Sequence, residues 1–169
     1  MKSFFIKKIL YKYSRKLLIN YNSHYEQEIK DNLLSCGSGV SIGLPVFVSG
    51  HKQISLGKNV SINAFVHIWG QGGVTIGDDC LIASHVTITS LTHNPKSRKF
   101  GDESIGKAIT IGANVWIGTH AMILPGVTIG NNVIIGAGSL VNKDLASNAA
   151  YAGTPAKKLY DLSQFKDGE

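Results

Sequence analysis

The stretch ITIGANVWIGTHAMILPGVTIGNNVIIGAGSLVNKDL, residues 109–145, decides the fold. Aliphatic residues recur at every sixth position of it, at Ile111, Ile117, Ile123, Ile129, Ile135 and Val141. Glycine follows four of these six residues. A strand alternates with a period of two and a helix repeats near 3.6. A period of six therefore indicates another unit, a short strand followed by a turn.

The repeat continues upstream with the same phase. The aliphatic column runs through Ile42, Val48, Leu56, Ile62, Ile68, Ile76, Ile82 and Ile88. A second apolar column lies two residues earlier, at Val46, Ile54, Val60, Val66, Val74, Cys80, Val86, Val115, Ala121, Val127 and Val133. Three such hexads are expected to close one triangular coil, and stacked coils bury both columns. The sequence thus predicts an all-β solenoid.

Interruptions of the repeat fall at one corner of this predicted prism. The steps from Val48 to Leu56 and from Ile68 to Ile76 are eight residues long and lie 20 residues apart, which is one coil of 18 plus two. The step from Ile88 to Ile111 is 23 residues, which is six plus 17. Functional residues concentrate on loops that a rigid scaffold holds in place. We therefore expect the site at this corner, in an inserted loop over 89–108.

The first 36 residues lack the hexad pattern and form a predicted helical segment. Apolar residues recur every four positions, first at Phe5, Ile9, Tyr13 and Leu17, then at Tyr25, Ile29 and Leu33. Ser23 and Glu26 have the spacing of a capping box, which predicts two helices over about 3–19 and 24–34. The predicted division of the chain is this segment at 1–36, the solenoid at 37–155, and a C-terminal tail, helical or extended, at 156–169.

The net charge of +6 comes from one segment. Residues 1–20 hold six bases and no acid, and the remaining 149 residues hold 11 bases and 11 acids. Nucleic-acid binding is not expected, because it favours bases spread over a face among aromatics. The basic segment fits either a cap on the first coil or a peripheral contact of residues 1–20 with an anionic membrane surface.

No run is long enough to span a bilayer and no signal peptide is evident. The expected location is the cytoplasm, or the inner face of the membrane.

Four segments carry a resemblance to a known family: VTIGDDCLIASHVTIT (74–89), THNP (92–95), the stretch at 109–145, and AGTPAKKL (152–159). Together they resemble the hexapeptide-repeat acyltransferases, particularly the galactoside, maltose and nodulation-type sugar O-acetyltransferases. The resemblance implies a left-handed parallel β-helix and a homotrimer with active sites between subunits. It implies acetyl transfer from acetyl-CoA to a sugar hydroxyl, in a cell-surface polysaccharide or its precursor.

His93 is the residue on which the expected chemistry depends. An alcohol needs a base when it attacks an acyl carbon, and a histidine supplies one near neutral pH. The resemblance implies that His93, in the inserted loop, is this base. Glu103 lies in the same loop, where it would either orient the acceptor hydroxyl or close the loop by an ion pair.

Acceptor contacts are predicted at the second eight-residue step. His67, Trp69 and Gln71 lie on or beside it, and an indole face can stack on a sugar while an amide bonds its hydroxyls. The resembling enzymes also use an asparagine in this region. The register puts Phe65 at that position, and Asn63 close by is the candidate.

Acetyl-CoA is expected along the C-terminal coils. By motif match, Thr119 and Ala137 would contact the pantetheine through backbone groups, and Trp116 would line the same groove. The nucleotide and its phosphates would meet Asn142, Lys143 and Lys157, with Lys158 as a further basic candidate; lysine binds phosphate as a point charge.

Three alternatives stay open from the sequence. One is an acetyltransferase for a small amine, a drug or serine, and another is an inactive scaffold. The third is a metal enzyme like the γ-class carbonic anhydrases, because His85 and His120 should stack on one face. That class needs a third histidine where Pro125 stands, so no metal is expected. Cys80 is predicted to be a core thiol, and neither it nor Cys36 suggests a covalent acyl-enzyme.

Overall fold

The computed structural model describes residues 2–162, except for the side chains of residues 2–6 and 9. It is a left-handed parallel β-helix preceded by one helix, α1 (Lys2–Asn32). Its first three coils contain β1 (Ser35–Cys36), β2 (Ser41–Ile42), β3 (Phe47–Ser49), β4 (Ile54–Leu56), β5 (Ser61–Ile62), β6 (His67–Trp69), β7 (Val74–Ile76), β8 (Leu81–Ile82) and β9 (Thr87–Thr89). A short 3-10 helix (His51–Gln53) precedes β4.

A hairpin leaves the solenoid after the third coil. It consists of β10 (Leu91–His93) and β11 (Ser104–Gly106). The solenoid resumes with β12 (Ile109–Ile111), β13 (Val115–Ile117), β14 (Met122–Ile123), β15 (Thr128–Ile129), β16 (Val133–Ile135), β17 (Leu140–Val141) and β18 (Ala149–Ala152). The last strand, β19 (Lys157–Asp161), turns back antiparallel to β18.

Successive strands of the coils build three faces. The first face orders β1-β4-β7-β12-β15, the second orders β2-β5-β8-β13-β16-β18-β19, and the third orders β3-β6-β9-β14-β17. The pairing confirms the predicted coil lengths. Ile54 pairs with Val74, 20 residues later, and Val74 pairs with Ile109, 35 residues later, which is 18 plus the inserted 17. All three insertions therefore meet at the corner between the third and first faces, here called the insertion corner.

Both apolar columns point inward, as predicted. Every member is buried except Val48, which is partly buried and packs against the core. Burying one such aliphatic side chain is worth about 1.5–3 kcal/mol. The burial of these repeated apolar side chains therefore stabilises the stacked coils.

The prediction of two N-terminal helices is wrong. The helix continues through the expected break, because the Ser23 hydroxyl donates to the Ile19 carbonyl, one turn back, instead of capping a new helix. Only the second apolar run caps the first coil: Ile29 and Leu33 are buried, and Tyr25 packs against the core. The side chains of Phe5 and Ile9 lie outside the described residues.

Glu26 connects α1 to the first coil. Its carboxylate accepts a 3.0 Å hydrogen bond from the Ile42 N–H and pairs with Lys30 at 2.7 Å.

None of the helices in the described part of the chain is long and apolar enough to cross a membrane. The predicted tail holds β19, and residues 163–169 lie outside the described residues; the division at 36 and 155 stays a prediction.

Candidate active site

The hairpin is anchored to the insertion corner by one buried serine. Ser90 is fully buried. Its hydroxyl donates to the Trp69 carbonyl at 2.7 Å and accepts from the Gly72 N–H at 2.8 Å. Its own carbonyl accepts from the Lys107 N–H at 2.8 Å. Ser90 is thus bound to the coil beneath, and the Lys107 N–H joins the second end of the insertion to Ser90, which holds the base of the hairpin in place.

Gly72 permits this close approach. A Cβ added there would lie 2.3 Å from the Ser90 carbonyl oxygen and 2.7 Å from the Lys107 nitrogen. Both are backbone atoms that cannot move aside without shifting the anchor. Any other residue at position 72 would therefore clash with the backbone of the insertion.

His93 ends the first strand of the hairpin and pairs in register with Ser104. Its side chain is exposed. Among the residues that the structure describes, no group forms a hydrogen bond or an ion pair with the imidazole. Both ring nitrogens are therefore available to a substrate.

Glu103 lies beside His93 at the start of the returning strand. The Asn94 side-chain amide donates a 2.7 Å hydrogen bond to its carboxylate, and the Asn94 N–H donates to the Glu103 carbonyl at 3.2 Å. Of the two roles expected for Glu103, closing the loop is the one with a visible contact. The contact is a hydrogen bond to an amide, and the expected ion pair is not seen among the described residues.

An aromatic group covers the third face next to the hairpin. Phe47 lies 5.0 Å from the Trp69 ring and 5.8 Å from the His67 ring, centroid to centroid. Gln71 contributes a side-chain hydrogen bond to Ser49. Trp69 is at the root of the hairpin through its bonds to Ser90. Three of the predicted acceptor residues, His67, Trp69 and Gln71, thus lie on the same side of the molecule as the hairpin.

Asn63 is not part of this group. It lies at the corner between the second and third faces, across the third face from the insertion corner, where its N–H donates to the Ile82 carbonyl. Phe65 at the same corner stacks on His85 at 4.9 Å, and His85 stacks on His120 at 4.7 Å. The predicted stacking of the two histidines is confirmed. We call these three residues the aromatic corner.

The aromatic corner has an unusual backbone. Phe65, His85 and His120 all have φ values between 57° and 64°, the left-handed region that bulky side chains rarely occupy. The stacked imidazoles turn their faces to each other, so their in-plane lone pairs do not converge on one point. No group of three or more His, Cys, Asp or Glu side chains comes together within the described residues. This geometry does not favour the metal-enzyme alternative.

The predicted acetyl-CoA residues fall into two groups. Trp116 is on the second face and half exposed, while Thr119 and Ala137 are exposed at the aromatic corner. The opposite edge of the third face holds Asn142 and Lys143, both exposed at the insertion corner. Within one chain, Trp116, Thr119 and Ala137 therefore lie across the width of a face from the insertion corner that bears His93. This width is about 10 Å or more.

The two C-terminal lysines differ in their contacts. Lys157 and Lys158 are both exposed on β19. Lys158 donates to the Asp161 carboxylate at 2.5 Å, and this hydrogen bond raises the pKa of Lys158. Lys157 is the better phosphate candidate of the pair, because an ion pair already occupies Lys158.

The cysteines lie away from the hairpin. Cys80 is buried, as predicted, and its thiol donates to the Gly112 carbonyl at 3.1 Å. Burial raises the pKa of the Cys80 thiol. Cys36 is exposed beside the helix end. Burial also raises the pKa of the Cys36 thiol. A raised thiol pKa disfavours the reactive thiolate, so neither cysteine suits nucleophilic catalysis.

Sequence reasoning missed three residues of this site: Phe47, Ser90 and Asn94. Phe47 could have been found, because it lies one coil before His67 in the same column. Ser90 carried no signal other than its position at the start of the insertion. The partnership of Asn94 with Glu103 depends on the path of the loop, which the repeat pattern does not specify.

Comparisons with known proteins agree with this architecture. A family model for bacterial transferase hexapeptide (six repeats) matches residues 108–143, and one for the hexapeptide repeat of succinyl-transferase matches residues 53–90. The chain is 42% identical to the galactoside O-acetyltransferase of Escherichia coli K12, over 82% of this chain and 68% of that protein. It is 40% identical to a putative lipopolysaccharide biosynthesis O-acetyl transferase of the same organism, over 71% of this chain and 65% of that one.

A solved structure is similar over most of the solenoid. The hexapeptide-repeat acetyltransferase of Vibrio cholerae, in complex with acetyl coenzyme A, superimposes with a TM-score of 0.79 at 30% identity. The match covers 83% of this chain and 78% of that one. The chain spans about two thirds of the length of the two curated relatives.

Proposed function

The chain belongs to the hexapeptide-repeat acetyltransferases, and from this premise we propose that it moves an acetyl group from acetyl-CoA to a sugar hydroxyl, with His93 as the base. The single observation that carries the proposal is the anchored hairpin. It presents one unpartnered imidazole at the only corner of the described solenoid where all three insertions meet. The family supplies the donor, and the hairpin supplies the residue for the proton transfer.

The proposed reaction is a direct transfer. The His93 imidazole takes the proton of the acceptor hydroxyl while the oxygen attacks the thioester carbonyl. The tetrahedral intermediate breaks the carbon–sulfur bond, and the departing thiolate recovers the proton from the imidazolium. Backbone N–H groups of the coil turns would stabilise the oxyanion. The buried Cys80 and the distant Cys36 support a mechanism without an acyl-enzyme.

The proposed acceptor is a saccharide of a cell-surface polysaccharide or its precursor. The aromatic group of Phe47, Trp69 and His67 supports this. Aromatic rings can stack on the apolar face of a sugar ring, while the polar hairpin beside them can bind its hydroxyl groups. The similarity to a putative lipopolysaccharide O-acetyl transferase supports the pathway. We place the reaction in the cytoplasm, where acetyl-CoA is made.

The active form is proposed to be a homotrimer with sites between subunits. Within one chain, His93 is on one edge of the third face, and Trp116, Thr119 and Ala137 are beyond the other edge. A neighbouring subunit could bring its own set of these residues to the hairpin. Exposed apolar side chains on both sides of the aromatic corner support such packing: Leu81, Trp116 and Met122 are each at least 40% exposed.

The test is release of free CoA thiol from acetyl-CoA by the purified chain. The acceptor panel contains mono- and oligosaccharides, amino sugars, serine and capsular polysaccharide. His93→Ala should lower the acceptor-dependent rate by about 10²-fold or more, the scale of a lost general base. His24→Ala, which removes an exposed histidine from α1, should leave it unchanged.

Two outcomes would contradict the proposal separately. Thiol release that is the same in His93→Ala and the unaltered chain would remove His93 from the mechanism. If no saccharide supports thiol release but amines or serine do, the acceptor is not a sugar hydroxyl.

A further inference from the structure

No described side chain in the first half of α1 is buried. Every described side chain between residues 7 and 21 is exposed, and these fifteen residues extend about 22 Å. Large apolar side chains are among the exposed ones, and Leu10, Tyr13, Leu17 and Tyr21 are each more than 60% exposed. The apolar contacts that cap the solenoid involve only the end of this segment: Tyr21 stacks on the Tyr25 ring at 6.0 Å, and Tyr25 packs against the core.

Four of the apolar side chains and four of the bases lie on different sides of the helix. At 100° per residue, Leu10, Tyr13, Leu17 and Tyr21 fall within one arc of about 80°. Four bases fall on the opposite side, within about 100°: Lys8, Lys12, Arg15 and Lys16. Tyr11 and Leu18 lie between the two sides, and Ile19 lies among the bases. Tyr11 and Ile19 line a shallow apolar groove with these bases. A helix with an apolar side and a basic side is typical of segments that lie in a membrane interface.

The charge of this segment distinguishes a lipid surface from a second copy of the chain. Between residues 7 and 25 there are five bases and no acid, so identical helices packed side by side would repel one another. An anionic bilayer offers the opposite charge to the bases and an apolar layer to Leu10 and Leu17. Long lysine side chains can also reach from a partly immersed helix to the phosphate level.

We propose that residues 7–21 of α1 bind the surface of an anionic phospholipid bilayer, without crossing it. The rest of α1 caps the first coil, so this end of the solenoid would face the membrane. The third coil, which carries the hairpin, is two coil steps away, about 10 Å. If the proposed function is right, His93 is within reach of a saccharide held on a lipid in the same bilayer. The binding itself does not depend on acetyl transfer.

Vesicle sedimentation of the full chain tests the proposal. The chain should pellet with vesicles of phosphatidylcholine mixed with phosphatidylglycerol and stay in solution with phosphatidylcholine alone. Binding should weaken as salt is raised, because salt screens exposed charges. Lys12→Gln/Lys16→Gln should weaken binding by roughly fivefold for each base. Lys157→Gln/Lys158→Gln removes the same charge from β19, at the other end of the solenoid, and should have little effect.

The apolar side and the alternative partner need separate variants. Leu10→Ser/Leu17→Ser should also lose vesicle binding, with an unchanged circular dichroism spectrum and an unchanged mass in solution. The proposal is overturned if binding is equal on neutral vesicles, or if neither double variant alters it. It is also overturned if Leu10→Ser/Leu17→Ser changes the oligomeric mass, because that assigns the apolar side to a second copy. His93→Ala should bind vesicles normally, which separates this result from that of the proposed function.

Discussion

The Asn94 side chain donates a 2.7 Å hydrogen bond to the Glu103 carboxylate, nine residues later in the chain. This contact joins the two strands of the hairpin directly after His93. The long loop between them has no strand of its own, so the position of the imidazole depends on such contacts. Glu103 is therefore a positioning residue in the proposed reaction.

Substitutions at Glu103 should separate its two expected roles. Glu103→Ala removes the acceptor of the Asn94 amide and should lower kcat/KM about tenfold, which corresponds to about 1.4 kcal/mol. Glu103→Gln keeps an oxygen for that bond and should stay close to the unaltered chain. If Glu103→Gln is as impaired as Glu103→Ala, the carboxylate charge acts on the acceptor and the positioning role is wrong. Asn94→Ala combined with Glu103→Ala should cost little more than either alone, because both remove one interaction.

Ser90→Ala should destabilise the base of the hairpin. It leaves the partly buried Gly72 N–H without its acceptor, and an unsatisfied buried donor costs about 1–3 kcal/mol. Thermal unfolding should show the loss, and hydrogen exchange should rise over residues 91–106. Ser97→Ala is the matched control, since its hydroxyl bonds only the Lys99 carbonyl near the loop surface. Equal unfolding temperatures for Ser90→Ala and the unaltered chain would show that Ser90 is not the anchor.

The parts of the fold that could be predicted are those fixed by the repeat. Each inward residue, such as Ile68 or Ile88, is specified by its distance from the next, and the same arithmetic located the insertion corner. The continuity of α1 could not be predicted from Ser23 and Glu26, because the capping-box spacing also fits a helix interior. In the structure Glu26 binds the first coil, a contact between segments that local patterns do not contain.

The candidate site was predicted to a smaller extent. The corner that bears His93 follows from the spacing, while the role of His93 came from the resemblance and stays a prediction. Phe47 and Asn94 were missed because their partners are brought together by the stacking of coils and by the loop path. The sequence does not decide between a helix and an extended tail for the segment that forms β19, because Lys157 and Lys158 interrupt any apolar pattern that would identify a strand.

The two thiols should differ in reactivity. In the native protein, Cys36 should react with a thiol reagent and Cys80 should not, because Cys80 is buried and burial raises the pKa of its thiol. Two thiols should react after unfolding in guanidinium chloride. Cys36→Ser should abolish the native reaction, and Cys80→Val, which matches the valines of its column, should change stability by less than about 1.5 kcal/mol. Reaction of two thiols in the native state would contradict the burial of Cys80.

Stability should depend on pH through Glu26. Burial acts to raise the pKa of this carboxyl, but the hydrogen bonds from Lys30 and the Ile42 N–H outweigh it, so the pKa is lowered in the folded protein. A group with a lowered folded pKa stabilises the fold above its unfolded pKa, about 4.3, and loses that contribution as the pH falls through the folded value.

Glu26→Gln keeps an oxygen for the Ile42 N–H and removes only the charge. It should lower the free energy of unfolding by about 0.5–1 kcal/mol at pH 7, the range for a partly exposed ion pair. The difference should shrink as the pH falls through the lowered folded pKa of Glu26, because the native carboxylate is then protonated as well. Urea denaturation at several pH values measures this. Glu28→Gln, on the same helix but with no carboxylate partner among the described residues, should show no such dependence. A difference that grows in acid would mean that burial dominates at Glu26 and that its contact with the first coil does not favour the charged form.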